Sequence, residues 1–223
     1  MAQHRELITA IAMTEPGTGS DLQGIKASAR RDGDDWVLSG SKTFITNGIN
    51  ADLVIVFAKT DPDAGSRGFS LFVVERDDPG FSRGRKLDKV GQPESDTAEL
   101  FFEDVRVPAA NVIGEVDNGF IHMMTWLPQE RLGSAVTNIS HAAQILEETI
   151  EYAKERKAFG QAIGSFQHNK FKLAEMVTAI EVAEAYVDDC IEAHAEGRLT
   201  AVDAAKAKWW SAQVQNDVLD ECV

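Results

Sequence analysis

Three short stretches of this chain carry side chains whose types and spacing suit chemistry. The first is MTWLPQERLG, residues 124–133. Its helical spacing puts the Glu130 carboxylate on one face with Met123, Trp126 and Leu127, while Gly133 and Ser134 follow one turn later and leave room. Apolar neighbours disfavour a charged carboxylate and raise its pKa. The same residues also fit a solvated helix carboxylate. Arg131 points about 100° away round the helix, so it is not simply Glu130's ion-pair partner. Pro128 has no N–H and clashes with the carbonyl of residue 124, a cost of about 3 kcal/mol inside a helix. A kink there would re-aim Glu130.

The second stretch is AMTEPGTGSD, residues 12–21. Gly17 and Gly19 let the backbone turn with few clashes, so that successive N–H groups can converge on an anion. Thr14 and Ser20 add hydroxyls. The glycine spacing alone fits a plain Gly-rich turn better. The third stretch is KTFITNG, residues 42–48, where Phe44 and Thr46 share a strand face two residues apart. An aromatic beside a hydroxyl suits a flat polar heterocycle, but a strand ending in an Asn-Gly turn needs no ligand. Cys190 reads as a core residue, His194 as a helix-end residue, and Trp209 and Trp210 as core or interface.

These groups must be positioned by two kinds of element. Residues before about 115 form short apolar runs separated by turn signals. KASARRDGDDWVLSGSKTFITNG reads as strand, Asp-Gly turn, strand, turn, strand. LVIVFAKT (53–60) and FSLFVVE (69–75) read as buried strands, and DTAELFFEDVRVP (96–108) as strand, short turn and strand end. Later residues read as helices. Apolar positions 142, 145, 146, 149, 150 and 153 keep a 3.6-residue period in a helix expected from Asn118 to Arg156. A second is expected from about Ser165 to Glu196, with Phe171, Ala174, Val177, Ile180, Val187 and Ile191 on its stripe. A third opens at Thr200 or Asp203 and reaches the end of the chain without a C-cap signal. The expected fold is therefore α+β: an antiparallel β-barrel or sandwich domain over 1–115, then an incomplete antiparallel helical bundle over 116–223. Three helices leave apolar surface uncovered. Oligomerisation, or an origin as a piece of a longer protein, is expected.

Composition narrows the function classes. The 223 residues carry a net charge of −14, which repels nucleic acid and anionic membrane. Hydrophobic residues at 43% and charged residues at 26% suit a soluble globular protein. The two cysteines, Cys190 and Cys222, lack partners at metal-ligand spacing, so neither a metal site nor a disulfide framework is expected. No run approaches a membrane span, and MAQHRELITAIAM has no signal-peptide layout. A cytoplasmic protein is expected.

Taken together, the motifs resemble those of the acyl-CoA dehydrogenase family over almost the whole chain. AMTEPGTGSDLQG resembles the family's flavin-loop signature, with Thr18 where a smaller residue is usual. KTFITNG resembles its second flavin stretch, with Phe44 where many members carry Trp. VGQPESDTAELFFEDVRVP resembles the barrel-closing segment, with an uncommon Gln92-Pro93-Glu94 filling. ERKAFGQAIGSFQ (155–167) resembles the segment that reaches the flavin pyrophosphate and adenosine.

The resemblance implies FAD as cofactor and α,β-dehydrogenation of an acyl-CoA thioester, with an electron-transfer flavoprotein or a similar acceptor as partner. A homodimer or homotetramer is implied too. Met13, Thr14, Gly19 and Ser20 would contact the flavin edge, Ser20 also the acyl-CoA. Phe44 would pack on the ring system, with Ile45 and Thr46 beside it and Thr46 near N5. Arg156, Phe159 and Gln167 would serve the pyrophosphate and adenosine end, and His168 could touch it. LPQERL resembles the long-chain type, in which the base lies on the long helix just before an Arg, so Glu130 would be the catalytic base and Gln129 and Arg131 would bind substrate. Most members place their base in a later Gly-rich loop, which this chain lacks, so it looks shortened at both ends. An acyl-CoA oxidase of the same fold and a catalytically silent binding or assembly module are the alternatives.

Overall fold

The computed structural model describes residues 7–223, so the beginning of MAQHRELITAIAM lies outside the described residues. The chain divides into two compact units between Met123 and Met124.

The first unit is a curled, mostly antiparallel sheet of seven strands: β1 (Thr9–Ala12), β2 (Ser28–Asp32), β3 (Asp35–Thr46), β4 (Leu53–Lys59), β5 (Phe69–Glu75), β6 (Phe81–Lys86) and β7 (Thr97–Pro108). β4 pairs with β1 in parallel and β5 antiparallel, and the Ser28–Lys59 pairing joins it to β2. β2, β3, β7 and β6 follow in antiparallel order. Period-two alternation turns Val54, Val56, Phe72, Val74, Leu100, Val105 and Val107 into a common core.

The turns expected inside residues 35–46 and 96–108 are β-bulges, so β3 and β7 each run unbroken for 12 residues. At one, Gly40 takes φ +146°, and a Cβ there would lie 2.6 Å from both Cα and Cβ of Ala27. Opposite it, Asp104 sits at φ +51° and accepts a 2.9 Å hydrogen bond from the Ser39 hydroxyl. The second shift in register, between Lys42 and Ile45, bears directly on the site. β1 and β6 are additional to the strands expected from the sequence.

A 37-residue helix, α1 (Gly119–Glu155), starts in the first unit and passes through Pro128 without a break. In the second unit it packs with α2 (Gln167–Ala195) and α3 (Ala201–Cys222), close to the expected bounds. Their shared core holds Leu132, Ala135, Ile139, Ala142 and Leu146 of α1, Met176, Ile180, Ala183, Val187 and Cys190 of α2, and Ala207, Val214 and Val218 of α3. Phe171, Ala174 and Ile191, expected on the stripe, are exposed, because the buried row follows 176, 180, 183, 187 and 190. Trp209 and Trp210 are exposed as well. α2 ends where Gly197 takes φ +71° and the N–H groups of Arg198 and Leu199 return to the Ala193 carbonyl. Thr200 caps α3 by accepting from the Asp203 N–H at 3.1 Å.

Candidate functional site

In the first unit the loop after β1 and the end of β3 lie side by side. The Thr43 N–H donates to the Thr14 carbonyl at 2.9 Å, and Glu15 and Thr18 close a turn by exchanging backbone hydrogen bonds of 2.9 and 3.1 Å. Met13 and Thr14 are half-buried, while Gly19 and Ser20 are exposed. Gly17 and Gly19 have room for a Cβ and neither takes a left-handed φ, so the turn itself does not demand glycine there.

Ile45 points into the core and leaves Phe44 and Thr46 exposed on the opposite face. Phe44 is 67% exposed and sits at φ +58°. An aromatic residue rarely occupies that region, and such strain persists where the surroundings impose it, often at functional positions.

The turn after Thr46 is held from two sides. Buried Asp96 accepts from the Ile49 N–H and the Asn50 side-chain amide, both at 2.7 Å. The Arg83 guanidinium donates to the carbonyls of Gly48 and Ala51 at 3.1 and 3.0 Å.

Beneath the loop lies a buried ion pair that motif reading missed. Lys42 is fully buried, and its Nζ is 3.0 Å from Glu15 Oε1 and 2.9 Å from the Met13 carbonyl. Glu15 also accepts from the backbone N–H groups of Lys26 and Ala27 at 2.6 and 2.9 Å. Desolvation lowers the Lys42 pKa to about 8, against the opposing pull of Glu15. A lysine in a strand shared with Phe44 and Thr46 reads as exposed, since all three have the same parity. The register shift between Lys42 and Ile45 turns it inward.

In the second unit Glu130, Gln129 and Trp126 are exposed, Trp126 by 61%, and Leu127 and Arg131 are half-buried. The expectation that apolar neighbours bury Glu130 does not hold for this chain. The core contact is made by Leu132, about 200° round the helix from Glu130, which therefore faces away from the three-helix core. The Ser134 hydroxyl donates to the Glu130 carbonyl at 3.1 Å.

Between α1 and α2 the short strands β8 (Lys157–Ala158) and β9 (Gln161–Ala162) form a hairpin. Phe159 and Gly160 make its tip at φ +50° and +81°, the signs of a type I′ turn, which ordinarily takes Asn or Gly first. Phe159 is 96% exposed, with its ring centroid 6.2 Å from that of Phe166. Arg156 and Gln167 flank this segment with exposed side chains. Two of the expected cofactor contacts, Phe44 and Phe159, are thus exposed aromatics at positive φ. No cluster of potential metal ligands occurs among the described residues.

Comparison with known proteins matches both units. A profile described as "Acyl-CoA dehydrogenase, middle domain" covers residues 10–105, and one described as "Acyl-CoA dehydrogenase, C-terminal domain" covers 117–223. The chain is 52% identical over 218 residues to the mitochondrial long-chain specific acyl-CoA dehydrogenase of Mus musculus, covering 97% of this chain and 51% of that protein. It is 43% identical over 215 residues to the mitochondrial isovaleryl-CoA dehydrogenase of Pongo abelii, covering 96% and 51%. A crystal structure of an acyl-CoA dehydrogenase from Geobacillus kaustophilus superposes with a TM-score of 0.95 at 50% identity, over 97% of this chain and 57% of that one. The chain spans about half the length of the curated relatives it matches.

Proposed function

The chain belongs to the acyl-CoA dehydrogenase family, and on that premise we propose that it serves the α,β-dehydrogenation of acyl-CoA thioesters with FAD as cofactor. The observation that carries this reading is the exposed pair Phe44 and Thr46, presented by buried Ile45 beside the Thr14–Ser20 loop. A flat ring with polar edges fits an exposed aromatic with a hydroxyl two residues on, and the strained φ of Phe44 supports a position kept for binding. Bound FAD would supply the acceptor for the β-hydride.

The chain's own residues would do the rest. Met13, Thr14, Gly19, Ser20, Phe44, Ile45 and Thr46 would hold the flavin ring. Arg156, Phe159 and Gln167 would hold the pyrophosphate and adenosine end. Gln129, Arg131 and Ser20 would orient the thioester. Glu130 would take the α-proton. Its position on the face of α1 away from the helical core supports that role, since such a carboxylate is open to a ligand. In this chain Trp126 and Leu127 leave the carboxylate open, and bound substrate and cofactor would cover it.

We extend the proposal to assembly and setting: a homodimer or homotetramer, an electron-transfer flavoprotein or similar acceptor, and a cytoplasmic location. The Mus musculus and Pongo abelii relatives are mitochondrial, and fractionation of the source cells decides the last point. The purified chain should be yellow, and palmitoyl-CoA should bleach it without oxygen. A chain that is colourless after incubation with FAD and removal of the free flavin overturns the reading.

A further inference from the structure

The buried ion pair beneath the loop has no role in the chemistry just described. Replacing a buried pair by apolar residues is often neutral or stabilising, so stability alone does not explain it. Its geometry gives another explanation. Lys42 Nζ takes the Met13 carbonyl at 2.9 Å and the Glu15 carboxylate at 3.0 Å. The two Glu15 oxygens in turn hold the N–H groups of Lys26 and Ala27, so three separate segments converge on one ammonium. Phe57 closes the site, its ring centroid 5.9 Å from Nζ.

A trans peptide points its carbonyl and the following N–H in opposite directions. Drawing the Met13 carbonyl inward therefore turns the Thr14 N–H outward. The Thr43 N–H, bonded to the Thr14 carbonyl at 2.9 Å, fixes the next peptide plane. Resting on the flavin reading, we infer that Glu15 and Lys42 are positioning residues whose pairing aims the Thr14 backbone N–H at the flavin edge.

The test uses Glu15→Gln/Lys42→Met, which removes both charges at once and leaves neither unpaired, with FAD titration and hydrogen exchange of the Thr43 amide, the donor to the Thr14 carbonyl, as readouts. Unfolding midpoints report the structural contribution separately. The inference predicts a midpoint near that of the parent chain, FAD affinity weaker by about tenfold, and Thr43 exchange in the ligand-free chain faster by about tenfold. A purely structural pair would leave both readouts at parent values in the folded double variant, and that result overturns the inference while the flavin reading stands. If the parent chain binds no FAD, the flavin reading fails and the inference with it; unchanged Thr43 exchange would separately refute the positioning step. Should the double variant not fold, Glu15→Asp keeps the charge and shortens the reach by one methylene. Parent-like FAD affinity and Thr43 exchange in that variant overturn the inference equally.

Discussion

Asp96 is the residue whose loss should most directly loosen the end of the strand that bears Phe44 and Thr46. It is buried, and its carboxylate accepts two hydrogen bonds of 2.7 Å from the turn that follows Thr46. Hydrogen bonds to a charged acceptor contribute about 1.5–3 kcal/mol each, and a buried donor left unpaired costs about 1–3 kcal/mol. Asp96→Ala should therefore destabilise the β unit by at least about 3 kcal/mol. Asp96→Asn keeps one acceptor oxygen and sets an amide against the other donor, so roughly half that loss is expected. With a urea m-value of about 2 kcal/mol per M, the Ala variant's midpoint should fall by about 1.5 M and the Asn variant's by about 0.8 M. Fluorescence of Trp36 reads this unit, in a background where the exposed Trp126, Trp209 and Trp210 are phenylalanine. An Asp96→Ala midpoint equal to the parent's would refute the claim that this carboxylate holds the turn.

Three further outcomes follow from the geometry. Lys42 has a folded pKa of about 8 against an ordinary value of 10.5, so between those values the unfolded chain binds more protons. Stability relative to Glu15→Gln/Lys42→Met should then rise from pH 8 towards pH 10, by at most about 3 kcal/mol, and a flat or falling difference in urea titrations contradicts the buried ammonium. Thr200→Ala should lower stability by about 1 kcal/mol through loss of the α3 cap, measured by helical circular dichroism, while Thr200→Ser should be nearly silent. Gly40→Ala places a Cβ 2.6 Å from Ala27 at φ +146° and should cost about 3 kcal/mol or more, with β2–β3 amides losing exchange protection first.

The helices were legible because their signals are local and repeat. The 3.6-residue period of α1 after Ala142 and the Thr200 cap needed no tertiary information. The bounds of α2 are legible in the sequence, yet at both ends of its stripe Phe171 and Ile191 satisfy the periodicity and remain exposed. In the sequence Gly40 and the Glu103–Asp104 stretch look like turns that end a strand, although β3 and β7 each run on through them. Whether such a signal ends a strand or only bulges it depends on the neighbour, here Ala27 and Ser39. The same non-local cause hid Lys42, since a single bulge reverses the parity of every residue before it. The LPQERL motif points to Glu130, whereas the structure leaves that carboxylate exposed rather than covered by its apolar neighbours. Counting its apolar neighbours did not say which face the core would occupy, and the core chose Leu132.

The central claim is that Glu130 removes a proton from the α-carbon of an acyl-CoA. Exchange of that proton with deuterium from solvent can be followed by NMR on a saturated acyl-CoA incubated with the FAD-loaded chain. Exchange should occur in the parent and fall at least a hundredfold in Glu130→Gln, with the yellow colour and acyl-CoA binding retained. Parent-like exchange in Glu130→Gln would contradict the assignment.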